Sequence, residues 1–323
     1  MFYNSTTIVI DNSQIHNNIS RWGGGIYITQ NFDQDLLVIS STVIEKNIAT
    51  YEGGGISCRN WNQDAIPEIH LSSSIIRNNT AHTGGGIFQN GKLLLTFDSE
   101  NRSSIYANYA SSCSDIKLLL NNDFTTEIIL DRFTRLSPTE DEICNIEQST
   151  VDILEEAVPF RDYDLYVDPI NGDDANDGSS ISSAMKTIGF ANLSTASDSL
   201  NPRIINLNEG TYSIATNGEL FPIYLSDFIS LIGTENEEII FEGNLENIDY
   251  YLTQSLLNDI IDADHSGDHS LNNIILKNGD NAIYSIESNF SMEKIILSEN
   301  NTYSYGCIYF KGGHHNLTNL KIF

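Results

Sequence analysis

Four aspartates crowd the stretch DPINGDDANDG at 168–178: Asp168, Asp173, Asp174 and Asp177. Carboxylates this dense offer hard oxygen ligands, and the ion they suit is Ca²⁺. They do not make an EF-hand loop. With Gly178 at the sixth loop position, the third falls on Ala175 and the twelfth on Ala184, and neither can coordinate. Asn-Gly and Asp-Gly steps form turns, so an Asx/Gly turn is the expected structure and a Ca²⁺ site the competing one. The stretch DADHSGDHS at 262–270 has the composition of a metal site in Asp262, Asp264, His265, Asp268 and His269. It lies between apolar strands and contains Gly267, which reads as a solvated corner. The pair His314 and His315 reads the same way.

The elements that must hold these residues show themselves as a repeat. IHNNISRWGGGI starts at Ile15, IEKNIATYEGGGI at Ile44, IRNNTAHTGGGI at Ile76 and IYANYASSCSDI at Ile105. The closing isoleucines Ile26, Ile56, Ile87 and Ile116 are separated by 30, 31 and 29 residues. In the last copy Cys113, Ser114 and Asp115 replace the three glycines. A period of this length signals a solenoid or a propeller. Short alternating apolar runs with no amphipathic helix argue for about three strands per turn of a parallel β-helix. Blades would need four antiparallel strands and hairpin turns, which the spacers lack. Coils stack at roughly 4.8 Å, so equivalent residues lie above one another. Gly24, Gly54 and Gly85 are then corner residues that permit close backbone approach. Asn18, Asn47, Asn79 and Asn108 are expected to stack as a ladder of side-chain amides.

Composition narrows the function. The net charge is −28 over 323 residues, with 16 basic and 44 acidic side chains. That excludes the basic footprint a nucleic-acid partner requires and disfavours anionic membranes and bare polyanions. No run reaches transmembrane length, so this segment is not expected to insert into a membrane. The four cysteines show no CxxC spacing, which argues against a zinc site or a disulfide framework and leaves room for one disulfide.

GGGI and I-x-x-N, with NIA at 47–49, resemble the repeats of chlamydial-type polymorphic outer-membrane proteins, with isoleucine in place of the usual phenylalanine. That resemblance covers the first third of the chain and implies a passenger β-helix at a cell surface, often adhesive. YVDPINGDDANDGSS at 166–180, KTIGFA at 186–191, IINLNEGTYS at 204–213, NGELFPI at 217–223 and ISLIGT at 229–234 resemble the domain of uncharacterised function that opens many pectin-lyase-like β-helices. This second likeness implies a fold and no reaction. In SAMKTIGFANLS, 183–194, Met185, Ile188 and Ala191 share one face, and the helix is expected to cap the first coil there.

The expected architecture is all-β: two right-handed parallel β-helix segments in tandem, with one short capping helix at the start of the second. Residues 1–126 would be the last coils of the first solenoid, 127–163 its terminal strand and a linker, and 164–323 the start of a second, truncated solenoid. The chain reads as an internal piece of a longer, exported protein, extracellular or at the cell surface. With Ile26, Ile56, Ile87 and Ile116 inward, Tyr27, Ser57, Phe88 and Lys117 point outward, as do Tyr284 and Tyr309 beside Ile283 and Ile308. Tyr27, Phe88, Tyr284 and Tyr309 are the candidate contact residues for glycans or surface proteins, or stacked pairs that merely join coils. These columns carry no stacked carboxylates, and Lys117 is the one isolated base candidate. The pectin-lyase likeness also admits a polysaccharide lyase or glycoside hydrolase, whose catalytic coils would lie partly outside this chain. A structural spacer is a third reading.

Overall fold

In a computed structural model the described residues are 7–30, 36–60, 66–119, 125–145, 149–243, 261–263, 267–279, 281–300 and 306–323. The chain divides into two compact units, Met1–Pro159 and Phe160–Phe323. Among the described residues every pairing between neighbouring strands is parallel, in both units, as a β-helix requires. No helix among them is long and apolar enough to cross a membrane.

Each full coil of the first unit has four short strands rather than three. The first runs Thr7–Asp11, Gln14–His16, Ile19–Trp22 and Ile26–Gln30; the next Leu36–Ser40, Val43–Glu45, Ile48–Glu52 and Ile56–Asn60. The missed strand, Ile19–Trp22 and its copies, is short and chemically mixed, so alternation does not reveal it. Single residues in the left-handed region make the bends, among them Ser41 (φ 47°), Asn17 (φ 57°) and Asn78 (φ 51°). Within 127–163, Thr126–Phe133 and Ser149–Glu156 extend the six-stranded sheet, and Ile143–Cys144 ends the five-stranded one.

Register follows the repeat. Ile26 pairs with Ile56, Ile56 with Ile87 and Ile87 with Ile116, and the last three are buried in one apolar core. The asparagines form the expected ladder. Asn18 Nδ2 donates to Asn47 Oδ1 (2.9 Å), Asn47 Nδ2 to Asn79 Oδ1 (3.0 Å) and Asn79 Nδ2 to Asn108 Oδ1 (3.0 Å). Each Oδ1 so reached also accepts the backbone N–H of the preceding rung. The ladder ends at Asp115, whose Oδ1 accepts Asn108 Nδ2 at 2.8 Å. Cys113, in the left-handed position (φ 56°) that Gly84 fills one coil earlier, is disulfide-bonded to Cys144.

Asp115 is fully buried, and burial raises its carboxyl to about 7, against hydrogen bonds from Thr134 and Asn108. A folded-state value above the unfolded one contributes stability below about pH 4, lost as pH rises through about 7. Asp115→Asn keeps the acceptor and removes the titration. Its melting temperature is therefore expected to match the native chain's near pH 4 and to exceed it increasingly up to pH 8. Parallel melting curves across that range would discard the assignment.

The second unit opens with Leu165–Val167 and a 3₁₀ turn at Ile181–Ser183. Arg203–Leu207 and Ile229–Gly233 follow in one sheet. The helix is shorter than the sequence suggests, Ile188–Ser194, because Thr187 caps it: its Oγ1 accepts Phe190 N at 3.3 Å. Met185 lies before the helix, bridged to Val167, yet with Ile188 and Ala191 it is fully buried in the core. The helix packs over Leu165–Val167, Arg203–Leu207 and Ile223–Tyr224. Downstream, Ile275 pairs with Ile296 and Ile283 with Ile308, through irregular spacings of 21 and 25 residues.

Candidate functional site

The outward column of the first unit, Tyr27–Ser57–Phe88–Lys117, lies in register as its inward neighbours dictate. Only part of it is presented. Tyr27 is 41% exposed, but Phe88 is buried at 3%, with the Arg59 guanidinium over its ring, 5.7 Å from the centroid. Phe88 is thus a covered support and not the contact residue expected. Lys117 is half-buried and Nζ donates to Thr83 Oγ1 at 3.0 Å. Burial lowers its pKa, against the pull of Glu52.

The exposed ring surface continues around the glycine corner onto the strand that sequence reasoning missed. Trp22 stacks on Tyr27 with centroids 5.9 Å apart. Arg21 places its guanidinium over Trp22 at 4.8 Å and over Tyr51 of the next coil at 4.7 Å. Arg59 lies 6.0 Å from the Trp22 ring and is ion-paired to Glu52. Guanidinium and aromatic groups alternate as Tyr51, Arg21, Trp22, Arg59, Phe88, the arrangement cation–π attraction favours. Tyr51 reaches Arg21 from an irregularity: between the Ser20–Ala49 and Trp22–Glu52 pairs the Ile48–Glu52 strand has one extra residue, a β-bulge. The signal was in the sequence, since IEKNIATYEGGGI is one residue longer than its neighbours.

Tyr284 and Tyr309, in the second unit, stack at 5.0 Å with planes 13° apart. Tyr284 is buried at 8% and Tyr309 half-buried, so this pair joins adjacent coils and presents little ring surface. The column beneath it brings Tyr224 opposite Asp262 and Asp262 opposite Tyr284. Asp268 accepts from Asn289 Nδ2 at 2.7 Å, and His269 lies against Phe290 at 5.0 Å. Asp264 and His265 lie outside the described residues. His315 stacks on Phe310 at 3.7 Å.

The four aspartates of 168–178 do not converge. Asp168 Oδ1 accepts Ile170 N and Asn171 N at 2.8 and 2.9 Å, and its Oδ2 accepts Asn208 Nδ2 at 2.9 Å. Asp173 accepts Ala175 N, Asp177 accepts Ser179 N, and Asp174 accepts Lys186 N and Thr187 N. These oxygens close turns and hold the approach to the helix. Among the described residues no group of three or more His, Cys, Asp or Glu is placed to hold a metal.

Residues 170–245 match a family described as a protein of unknown function, DUF1565. The matched stretch takes in the turn, the capping helix and the strands that follow, and it is compatible with a parallel β-helix. No curated protein and no solved structure matches the chain. Within this stretch Glu219, which sequence reasoning did not single out, accepts Ile188 N at 2.7 Å and Gly189 N at 2.9 Å. A carboxylate on the first N–H groups of a helix satisfies donors that have no partner inside it.

Proposed function

We propose that the chain is part of an exported, pectin-lyase-like β-helix protein whose first unit binds carbohydrate at the Arg21–Trp22–Tyr27–Tyr51 strip. One observation carries this reading. Trp22, Tyr27 and Tyr51 are 37–41% exposed and held by stacking in a solenoid wall. Rings fixed in advance offer a flat platform for a pyranose at low ordering cost. Export is supported by the Cys113–Cys144 disulfide, since such bonds persist in oxidising compartments. Catalysis by paired carboxylates would need two on adjacent coils, and the strip holds one, Glu52, already engaged by Arg59.

The test is retention on an array of immobilised oligosaccharides. Trp22→Ala is expected to weaken retention about tenfold, in line with the loss of one aromatic platform. Its melting transition should stay cooperative. Failure of the native chain to be retained by any sugar, or equal retention of the variant, would remove the proposal.

A further inference from the structure

Arg21 stands apart from the other arginines of the first unit. Arg59 neutralises its charge on Glu52. Arg77, Arg102, Arg132 and Arg135 likewise face Glu45, Asp152, Glu155 and Glu142. Arg21 is exposed and, among the described residues, has neither an ion pair nor a hydrogen bond, in a chain with 44 acidic side chains. Its described contacts are the two rings, Trp22 at 4.8 Å and Tyr51 at 4.7 Å, one from its own coil and one from the next. A guanidinium that lies over two rings and has no ion pair or hydrogen bond of its own among the described residues has its N–H groups left to offer a ligand. Their fork matches a planar or tetrahedral oxyanion through two parallel hydrogen bonds.

The rest of the molecule says what kind of anion. At a net charge of −28 the long-range field repels a dense polyanion. That field is screened beyond about 8 Å at physiological ionic strength, whereas the fork acts at contact. The geometry points to Arg21 as a specificity-determining residue for a sugar chain that is mostly uncharged and carries an isolated oxyanion, a carboxylate or a sulfate ester. Trp22 and Tyr27 take the neutral ring and Arg21 the charged substituent. This rests on the carbohydrate-binding reading above and adds the chemistry of the ligand.

The experiment uses the full chain and oligosaccharides printed as matched pairs, one member neutral and the other carrying a single carboxylate or a single sulfate. Polygalacturonate and heparin serve as dense polyanions. The charged member is expected to bind at least tenfold tighter than its neutral twin. Arg21→Gln should abolish that difference, the charged member falling to the affinity of its neutral twin. Arg21→Lys, which keeps charge and loses the fork, should recover only part of it. The carboxylate and sulfate pairs distinguish the two sources. Equal binding of neutral and charged twins, a preference that survives Arg21→Gln, or tightest binding to the dense polyanions overturns this inference alone. Absence of binding to every sugar overturns it together with the reading beneath it.

Discussion

Gly54→Ala is expected to lower the stability of the first unit by about 3 kcal/mol or more, read as a shift of its chemical-denaturation midpoint. The number follows from what a methyl group would meet there. A Cβ at Gly54 would lie 2.4 Å from the carbonyl oxygen of Thr80 and 2.5 Å from that of Gly85, both backbone atoms of the adjoining coil. No side chain can rotate out of the way. The coils would have to separate, and with them the Gly55 N to Gly85 O (2.9 Å) and Ile56 N to Gly86 O (2.9 Å) hydrogen bonds. Gly306→Ala is the control, because among the described residues its Cβ would meet Ile308 O alone, at 3.5 Å, an ordinary contact. If both variants denature with the native chain, backbone contact does not seal the coils.

Asn79→Ala carries the second large effect, about 3–5 kcal/mol. Asn79 is fully buried. Its loss strands the backbone N–H and the Nδ2 of Asn47, which both donate to its Oδ1 at 3.0 Å, and removes the Nδ2 donor to Ile44 O at 2.9 Å. Each buried group left without a partner costs about 1–3 kcal/mol. The same change at Asn18 is expected to cost far less, since Asn18 is exposed and water replaces its bonds. A denaturation series over the four rungs tests this directly. Equal losses at Asn18 and Asn79 would mean that the amides contribute locally and not as a buried ladder.

Much of this was written in the sequence, because a solenoid converts periodicity into stacking. Once Ile26, Ile56 and Ile87 fall 30 and 31 residues apart, the neighbouring columns, the asparagine ladder and the glycine contacts follow from register alone. What register does not carry was harder to read. Cys113 and Cys144 are 31 residues apart, one period, but a column argument sets Cys144 against Lys117 and not against Cys113. The bond forms because a corner residue and a strand residue approach to a Cα separation of 5.3 Å. Composition at 168–178 named the oxygens without naming the N–H groups they accept. The strip escaped notice because it combines a bulge with a strand of mixed residues. Tyr27 was legible on its column, whereas Arg21, Trp22 and Tyr51 required knowing which way an extra residue turns the chain.

The amide ladder has a direction. Every interior rung presents the same acceptor to the coil before it and the same donor to the coil after it, while Asp115 accepts Asn108 Nδ2 and carries no amide donor to pass on. A duplicated coil can therefore be spliced between Asn18 and Asn108 with both joints satisfied, like a carriage added to a train whose buffer stays in place. Length in this unit is an adjustable quantity, set by how many copies precede a fixed terminator.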